Sequence, residues 1–248
     1  MDGILLIDKP SGITSHKVVE IVRKKLGVKK AGHAGTLDPL ATGLLIVMLG
    51  KATKLSNTLI CQSKVYEVEM KLFLETDTGD VTGKIIKDEK PQTFTENQVQ
   101  AVISSFYNYE YWQKPPIYSA IKIKGRKLYQ YARKGIQVEC PPRLVKIEKI
   151  KLLNYSSDEK KINFLVECSK GTYIRSLVKD IAEKLGVIAT VSQLRRISSG
   201  KFNINQTLKL EEVEKGKLNL LFWWSFIFFN LNFAIFLFFF CFFSQHHA

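Results

Sequence analysis

The chain has 248 residues, which fits one large domain or a domain with an appendage. It carries 37 Lys and Arg against 23 Asp and Glu, a net charge of +14, and all of these residues precede residue 218. This excess favours a polyanionic partner, with nucleic acid as the first hypothesis and a generally lysine-rich composition as the alternative. The four cysteines are widely spaced without a CxxC pair, which argues against structural zinc or a disulfide framework and fits a reducing compartment.

The hydrophobic pattern predicts strands and helices in mixed order. In chain order, the predicted elements are a buried strand at 3–7, a helix capped by Thr14 or Ser15 and ended by Gly27, a strand buried on both faces at 44–49, an alternating strand at 64–74, a helix begun by a Thr95–Gln98 capping box, strands at 144–153 and 162–168, a helix from Gly171 to Gly186, and a strand at about 189–198. No regular βαβ repeat occurs. The pattern therefore favours an α+β fold with a mixed, largely antiparallel sheet flanked by helices.

Two segments depart from this pattern. Residues 113–142 hold four of the seven prolines together with many basic residues and tyrosines, which predicts an excursion over the surface. From Leu218 the chain becomes apolar, and residues 222–243 include eleven phenylalanines and two tryptophans. Two interpretations of this tail stand side by side: the product of a shifted reading frame in AT-rich DNA, or a genuine hydrophobic anchor of a length that suits a membrane span.

The most informative segment is residues 32–43, with the sequence GHAGTLDPLATG. Its glycines permit tight turns and close approach to a ligand, and Asp38-Pro39 fixes the local path of the chain. Asp38 is the only acid between Glu20 and Glu67. A lone carboxylate on a rigid loop in a basic region is a candidate nucleophile or base, although Asp-Pro also serves as a simple turn opener.

Four other segments contain polar residues of interest. Lys9 lies on a rigid turn before a helix N-terminus, where anions are favoured. Tyr66 begins an amphipathic strand on its apolar face, which by itself indicates a core tyrosine. Arg175 lies in the first turn of a predicted helix, where the dipole disfavours a cation, so a carboxylate such as Asp38 is its natural partner. Residues 195–196, both arginine, end a predicted strand and alternate faces.

Together these segments resemble the tRNA pseudouridine synthase B family, in family order and over residues 3 to about 213. The matching segments are Lys9-Pro10-x-Gly12-x-Thr14-Ser15, residues 32–43, Lys64-x-Tyr66, Pro115-Pro116-x-Tyr118-Ser119-Ala120-x-Lys122, Gly125-Arg126-x-Leu128-Tyr129, Ala132-Arg133-x-Gly135, residues 171–177 and Leu194-Arg195-Arg196. The resemblance implies a pseudouridine synthase fold with a catalytic domain at 1–217. The segment at about 113–142 corresponds to the family's basic, thumb-like insertion, and the phenylalanine-rich tail at 218–248 replaces the usual C-terminal region.

The resemblance also implies roles for single residues. Asp38 matches the nucleophilic aspartate, and Arg175 matches the arginine that pairs with it and orients it. Tyr66 matches the aromatic residue that stacks on the flipped uracil and is a candidate for removing the C5 proton. The other residues implied to bind the flipped nucleotide are His33, which fills the vacated space, and Tyr173 and Leu194, which line the uracil pocket. Because a carboxylate attacks only when ionised, we expect Arg175 to keep the pKa of Asp38 low.

The implied contacts with RNA are Lys9, Lys64, Lys122, Arg126, Arg133 and Arg195. Lys9 and Lys64 are also expected to support the loop that carries Asp38. The basic residues of the insertion would track phosphates.

The implied activity is the isomerisation of uridine 55 in the T-loop of tRNA by base flipping. Breaking C1′–N1 and forming C1′–C5 involves no net redox change, so neither a cofactor nor a metal is expected. Attack at C1′, attack at C6 and deprotonation at C2′ all stay open as the role of Asp38. We expect a cytoplasmic monomer that binds the T-arm and elbow of tRNA without an obligate protein partner. The rival hypotheses are a tRNA-folding chaperone and, on the tail alone, a membrane-anchored RNA-binding protein.

Overall fold

An 11-stranded mixed sheet organises the fold of residues 1–136 and 138–222, which are the residues that this computed structural model describes. The strands are β1 (Gly3–Lys9), β2 (Ala31–Ala34), β3 (Thr42–Leu49), β4 (Lys64–Leu72), β5 (Leu74–Thr76), β6 (Ile85–Asp88), β7 (Tyr109–Gln113), β8 (Lys122–Ile123), β9 (Arg126–Lys127), β10 (Arg143–Ser156), β11 (Lys161–Cys168), β12 (Ala189–Ser199), β13 (Phe202–Asn203), β14 (Leu208–Lys209) and β15 (Leu220–Phe222). The α-helices are α1 (Ser15–Lys25), α2 (Ser56–Ile60), α3 (Glu96–Ser104), α4 (Leu128–Ala132), α5 (Ile174–Leu185) and α6 (Leu210–Glu214).

The strand order of the large sheet is β14-β1-β3-β12-β4-β11-β10-β7, with β2 on β3, β13 on β12 and β15 on β1. The pairs β1–β14 and β3–β12 are parallel, whereas the other pairs of this sheet are antiparallel. The predicted α+β class with a mixed, largely antiparallel sheet is therefore confirmed. The central strand β12 matters most for the site, because it joins β3 to β4.

The sheet has hydrophobic residues on both faces at its β1–β3 side. Leu45, Val47 and Leu49 enter the main core, which α1, α3 and α5 help to close, and the alternate positions Leu44 and Ile46 enter a second core on the opposite face. The prediction that residues 44–49 form a strand buried on both faces is confirmed.

Local signals predicted the starts of α1 and α3 correctly and that of α5 wrongly. The Thr14 side chain accepts a hydrogen bond from the Lys17 N–H and caps α1, and Thr95 with Gln98 forms the predicted capping box of α3. The predicted start of α5 at Gly171 is wrong, because this glycine has a φ of +81° and belongs to the preceding turn. The helix begins three residues later, so Arg175 still lies in its first turn.

The predicted strand 64–74 ends at Leu72, because Phe73 has a φ of 65° and interrupts the extended backbone before β5. The last strand, predicted at about 189–198, is confirmed as β12, which runs to Ser199, so residues 195–196 do not end it. Both arginines therefore lie within a central strand rather than at its exposed end.

The sheet continues past the expected boundary after Lys217. Residues Leu220–Phe222 form β15, which pairs antiparallel with residues 3–5 of β1. The rest of the predicted tail, residues 223–248, lies outside the described residues, as does Gln137 in the insertion. Within the described ranges, no helix is both long and apolar enough to span a bilayer.

We predict that Gly43→Ala destabilises the fold strongly. Gly43 has a φ of +98°, and a Cβ there would lie 2.4 Å from the carbonyl oxygen of Arg196 on the neighbouring strand. The left-handed backbone and the overlap together should lower the free energy of unfolding by about 3 kcal/mol or more, measured by urea denaturation. Gly27→Ala is the matched control, with a φ of +62° and no atom within 4 Å. Equal losses in the two variants would contradict the close approach of the strands.

Candidate active site

Asp38 lies on the loop 35–41, which joins β2 to β3. The turn before α1 and the first residue of that helix hold this loop in place. The Ser15 hydroxyl accepts a hydrogen bond from the Leu37 N–H at 2.9 Å and donates to the Leu37 carbonyl at 3.0 Å, and both residues are buried. The Gly12 N–H donates to a further loop carbonyl at 2.8 Å. The carboxylate therefore projects from a backbone that a neighbouring segment fixes at several points.

Lys9 and Lys64 are buried and bind backbone rather than solvent. The Lys9 ammonium donates to the carbonyls of Pro10 and Pro39, at 2.8 and 3.2 Å. The Lys64 ammonium donates to one carbonyl at the end of α2 and to one in the turn before β4. Burial lowers the pKa of both amines to about 8. These two lysines were expected to contact RNA, but their burial gives them a structural role instead. Lys9 supports the loop 35–41.

Arg175 and Asp38 form a two-point ion pair, which confirms the predicted pairing. The Arg175 Nε lies 2.8 Å from one carboxylate oxygen of Asp38, and Nη2 donates to the other at 3.2 Å. The remaining donors reach the carbonyls of Thr78 at 2.7 Å and Tyr118 at 2.9 Å. The arginine side chain is only 6% exposed and that of Asp38 is 35% exposed, so the carboxylate keeps an open face for a ligand.

Burial raises the pKa of the Asp38 carboxyl above its ordinary value, the Arg175 guanidinium works against this rise, and the Asp80 carboxylate adds to it. The expectation that Arg175 keeps the pKa of Asp38 low is therefore wrong for the net shift, although the direction of its own effect is as expected. No sequence motif singled out Asp80, which is buried in a polar turn and accepts a hydrogen bond from Thr78 at 3.1 Å. The acidic turn 77–80 between two strands is the signal that could have identified it.

Tyr66 lies buried at the start of β4, directly opposite Arg196 on β12. Burial raises the pKa of its hydroxyl, the Arg196 guanidinium opposes this, and the Asp38 charge adds to the rise, which places Tyr66 within the electrostatic reach of the carboxylate. Leu194 shares this face of the sheet, since it lies opposite Val68 in the same register. A neutral phenol accepts a proton poorly, so this environment favours stacking over proton removal.

The other residues implied for the nucleotide pocket lie on separate elements. His33 lies half-buried on β2, and burial lowers the pKa of its imidazole, which favours the neutral ring. Tyr173 is the N-cap residue of α5 and packs against the small apolar cluster that Ile121, Leu128 and Cys140 form within the insertion. Tyr173 thus connects the insertion to the helix that carries Arg175.

The structure places the six implied RNA contacts in different environments. Lys122, Arg126 and Arg133 are exposed on the insertion, where the Arg133 guanidinium lies 5.2 Å from the centre of the Tyr129 ring. Arg195 instead points to the sheet face opposite Tyr66 and forms two hydrogen bonds with Asp8, at 3.1 and 2.7 Å. The ion pair joins β12 to β1, and the Arg195 side chain is still 38% exposed, so its contact with RNA stays a prediction.

A partly buried network that the sequence did not indicate anchors α5. The Gln113 side chain accepts a hydrogen bond from the Tyr173 N–H at 2.8 Å and donates to the Tyr111 hydroxyl at 2.8 Å. That hydroxyl donates to Asp180, on the same helix, at 2.6 Å. The network fixes the N-terminus of α5 against β7 and so holds Arg175 in place. No local pattern marks Gln113, because its importance arises only from its burial between two distant elements.

Two family models match the chain. The TruB family pseudouridylate synthase (N terminal domain) matches residues 23–174, and the tRNA pseudouridylate synthase B C-terminal domain matches residues 175–220. A tRNA pseudouridine synthase B of Mesoplasma florum is 48% identical over 216 residues, covering 87% of this chain and 75% of that protein. The protein of the same name from Caldanaerobacter subterraneus is 46% identical, covering 88% and 75%.

Solved structures share the fold. A Cbf5–Nop10–Gar1 complex contains a chain that is 33% identical with a TM-score of 0.67, and an H/ACA RNP bound to a substrate RNA containing 2′-deoxyuridine contains one that is 30% identical with a TM-score of 0.64. The alignments cover 86% of this chain but only 54% and 52% of those chains, so this chain spans about half of their length. The matched models and the identity to named relatives agree: this chain belongs to the TruB family of pseudouridylate synthases.

Proposed function

We propose that Asp38, Arg175 and Tyr66 carry out the reaction of this family in the chain, the isomerisation of uridine 55 in the T-loop of tRNA to pseudouridine. The chain is a tRNA pseudouridine synthase, an isomerase that acts on RNA. The observation that carries the assignment of residues is the two-point contact of Arg175 with a partly exposed Asp38 carboxylate, whose charge also raises the pKa of the buried Tyr66. The same residue types match the family motif in the sequence.

The proposed chemistry follows from this arrangement. Turning a nucleotide out of a structured loop costs a few kcal/mol, and stacking of the uracil on Tyr66 offsets about 1–3 kcal/mol of it. Asp38 acts as the nucleophile, with its oxygens oriented by Arg175. For attack at C1′, a carboxylate oxygen bonds to C1′ as the C1′–N1 bond breaks and N1 keeps the electron pair. The uracil then turns within the pocket, C5 bonds to C1′ and releases the carboxylate, and the C5 proton passes to a base while N1 gains a proton. His33 occupies the space that the base vacates, and Leu194 and Tyr173 line the pocket.

The insertion at about 113–142 supplies the proposed contact with the T-arm and elbow of tRNA. Its exposed Lys122, Arg126 and Arg133 neutralise phosphates. The hydrogen bond from Arg175 to the Tyr118 carbonyl links the insertion directly to the ion pair. RNA bound to the insertion is therefore held near the Asp38 carboxylate. We propose a monomer without an obligate protein partner, working in the cytoplasm, where its tRNA substrate is found.

We predict that Asp38→Asn abolishes turnover and leaves binding of RNA near that of the wild type. The amide keeps the size of the side chain but is not a nucleophile, so the rate should fall by about 10⁴-fold or more. The assay is release of tritium from a T-arm transcript labelled at C5, with the dissociation constant measured on the same RNA. Binding without tritium release by the wild-type protein would instead support the tRNA-folding chaperone.

We predict that Arg175→Met moves the acid limb of turnover to higher pH. The carboxylate must be ionised to react, so turnover is lost as pH falls through the pKa of Asp38, which burial already raises and Arg175 lowers. Removing the guanidinium raises this pKa further, and the limb should shift upward by about 1–3 pH units at saturating RNA. Arg195→Met removes an arginine paired with Asp8 and should leave the limb in place. An unchanged limb in Arg175→Met would exclude Asp38 as the titrating group.

We predict that the double variant Lys122→Gln/Arg126→Gln weakens tRNA binding and lowers its dependence on salt. Each lost phosphate contact should reduce the slope of log K against log salt concentration by about 0.7–0.9. Lys71→Gln/Lys151→Gln removes the same charge from exposed positions on the sheet face opposite Tyr66 and is the matched control. Equal slopes for the two double variants would show that the insertion contributes only general charge.

A further inference from the structure

Arg196 has no role in the mechanism proposed above, although it is the largest side chain that the described fold buries completely, with 1% of its surface exposed. Its Nε donates to the carbonyl of Leu44 at 2.7 Å and its Nη2 to that of Gly35 at 3.2 Å. One of these carbonyls precedes Asp38 in the chain and the other follows it. A single guanidinium therefore ties together both sides of the loop 35–41.

The close approach of Arg196 also explains two glycines of the motif at 32–43. Arg196 is in register with Gly43 across the parallel β3–β12 pair, and a Cβ on Gly43 would lie 2.8 Å from the Arg196 nitrogen as well as against its carbonyl. A Cβ on Gly35 would lie 3.3 Å from Nη1 of the same guanidinium. The glycine-rich loop thus packs against Arg196, with Gly43 against its backbone and Gly35 against its side chain.

On its other side, Arg196 faces Tyr66. The two residues are cross-strand partners in the β4–β12 pair, and both are buried. The bonds of Arg196 to the two carbonyls and its place opposite Tyr66 therefore fix how far the aromatic ring lies from the loop that carries Asp38.

The charge of Arg196 acts on its whole neighbourhood. Together with burial it lowers the pKa of Lys9, Lys64 and His33. Within the described residues, no carboxylate forms an ion pair with Arg196, and backbone carbonyls satisfy its donors instead. A buried cation without a counter-ion is costly, and such departures from ordinary core composition occur mainly at functional sites.

We propose that Arg196 is a positioning residue for the isomerisation: it sets the separation between the ring of Tyr66 and the loop that carries Asp38. Arg196 acts through these two residues and does not itself touch RNA. The inference rests on the proposed function, because its effect is on the step that Asp38 and Tyr66 perform.

A double-mutant cycle tests this role by single-turnover tritium release from a T-arm transcript, with the dissociation constant measured in parallel. We expect Arg196→Met to lower the rate by about 10²-fold, because misplacement by about 1 Å has that effect, while the dissociation constant changes by less than about threefold. In a Tyr66→Leu background, which lacks the aromatic ring that Arg196 positions, the same substitution should lower the rate by about tenfold less, since coupled residues are not additive. Arg23→Met, which removes an exposed arginine from α1, should leave the rate unchanged.

If Arg196→Met lowered the rate equally in the two backgrounds, the coupling to Tyr66 would be overturned. If RNA binding weakened as much as the rate fell, the positioning role would be overturned. If the methionine variant does not fold, Arg196→Lys replaces it in the cycle, since it retains the charge but not the planar fork, and the same non-additivity is expected. Absence of tritium release by the wild-type protein would overturn the proposed function and, with it, this inference.

Discussion

The structure of the site depends on the bond between the Arg175 guanidinium and the Asp38 carboxylate. Removing two charges from water is costly, and only the two-point geometry and the further bonds of Arg175 to two carbonyls offset that cost. The carbonyls belong to the turn at Thr78 and to the insertion at Tyr118, so one side chain draws three distant segments to α5. Loss of Asp38 would leave the buried Arg175 guanidinium without its counter-ion. Ser15 fixes the loop that carries Asp38, and Gln113 fixes the N-terminus of the helix that carries Arg175.

The strand order makes this convergence possible. Strand β12 pairs in parallel with β3 and antiparallel with β4, so the strand that follows the Asp38 loop and the strand that carries Tyr66 lie on its two sides. Because side chains alternate between the two faces along β12, its two adjacent arginines lie on opposite faces of the sheet. Arg195 joins β12 to Asp8 on one face, and Arg196 lies beneath the site on the other.

The sequence predicted what local patterns encode. The glycine-rich loop, the position of Arg175 in a first helical turn and the apolar run before Leu49 all followed from spacing and charge, and the structure agrees. The errors arose where tertiary context decides. A lysine is usually found at the surface, so the sequence suggested an exposed Lys9. Only the fold shows that its ammonium is buried and bound to carbonyls. The sign of the pKa shift of Asp38 depends on the balance between burial and pairing, and a sequence does not state burial.

The most direct test of Asp38 as nucleophile is the crystal structure of Asp38→Asn bound to a T-arm hairpin with uridine at the target position. We predict that the uridine is turned out of the loop, stacks on the ring of Tyr66, and brings its reacting carbon to about 3–3.5 Å from the substituted amide side chain. A target uridine that remains stacked within the RNA loop, or an everted base held away from that side chain, would contradict the assignment.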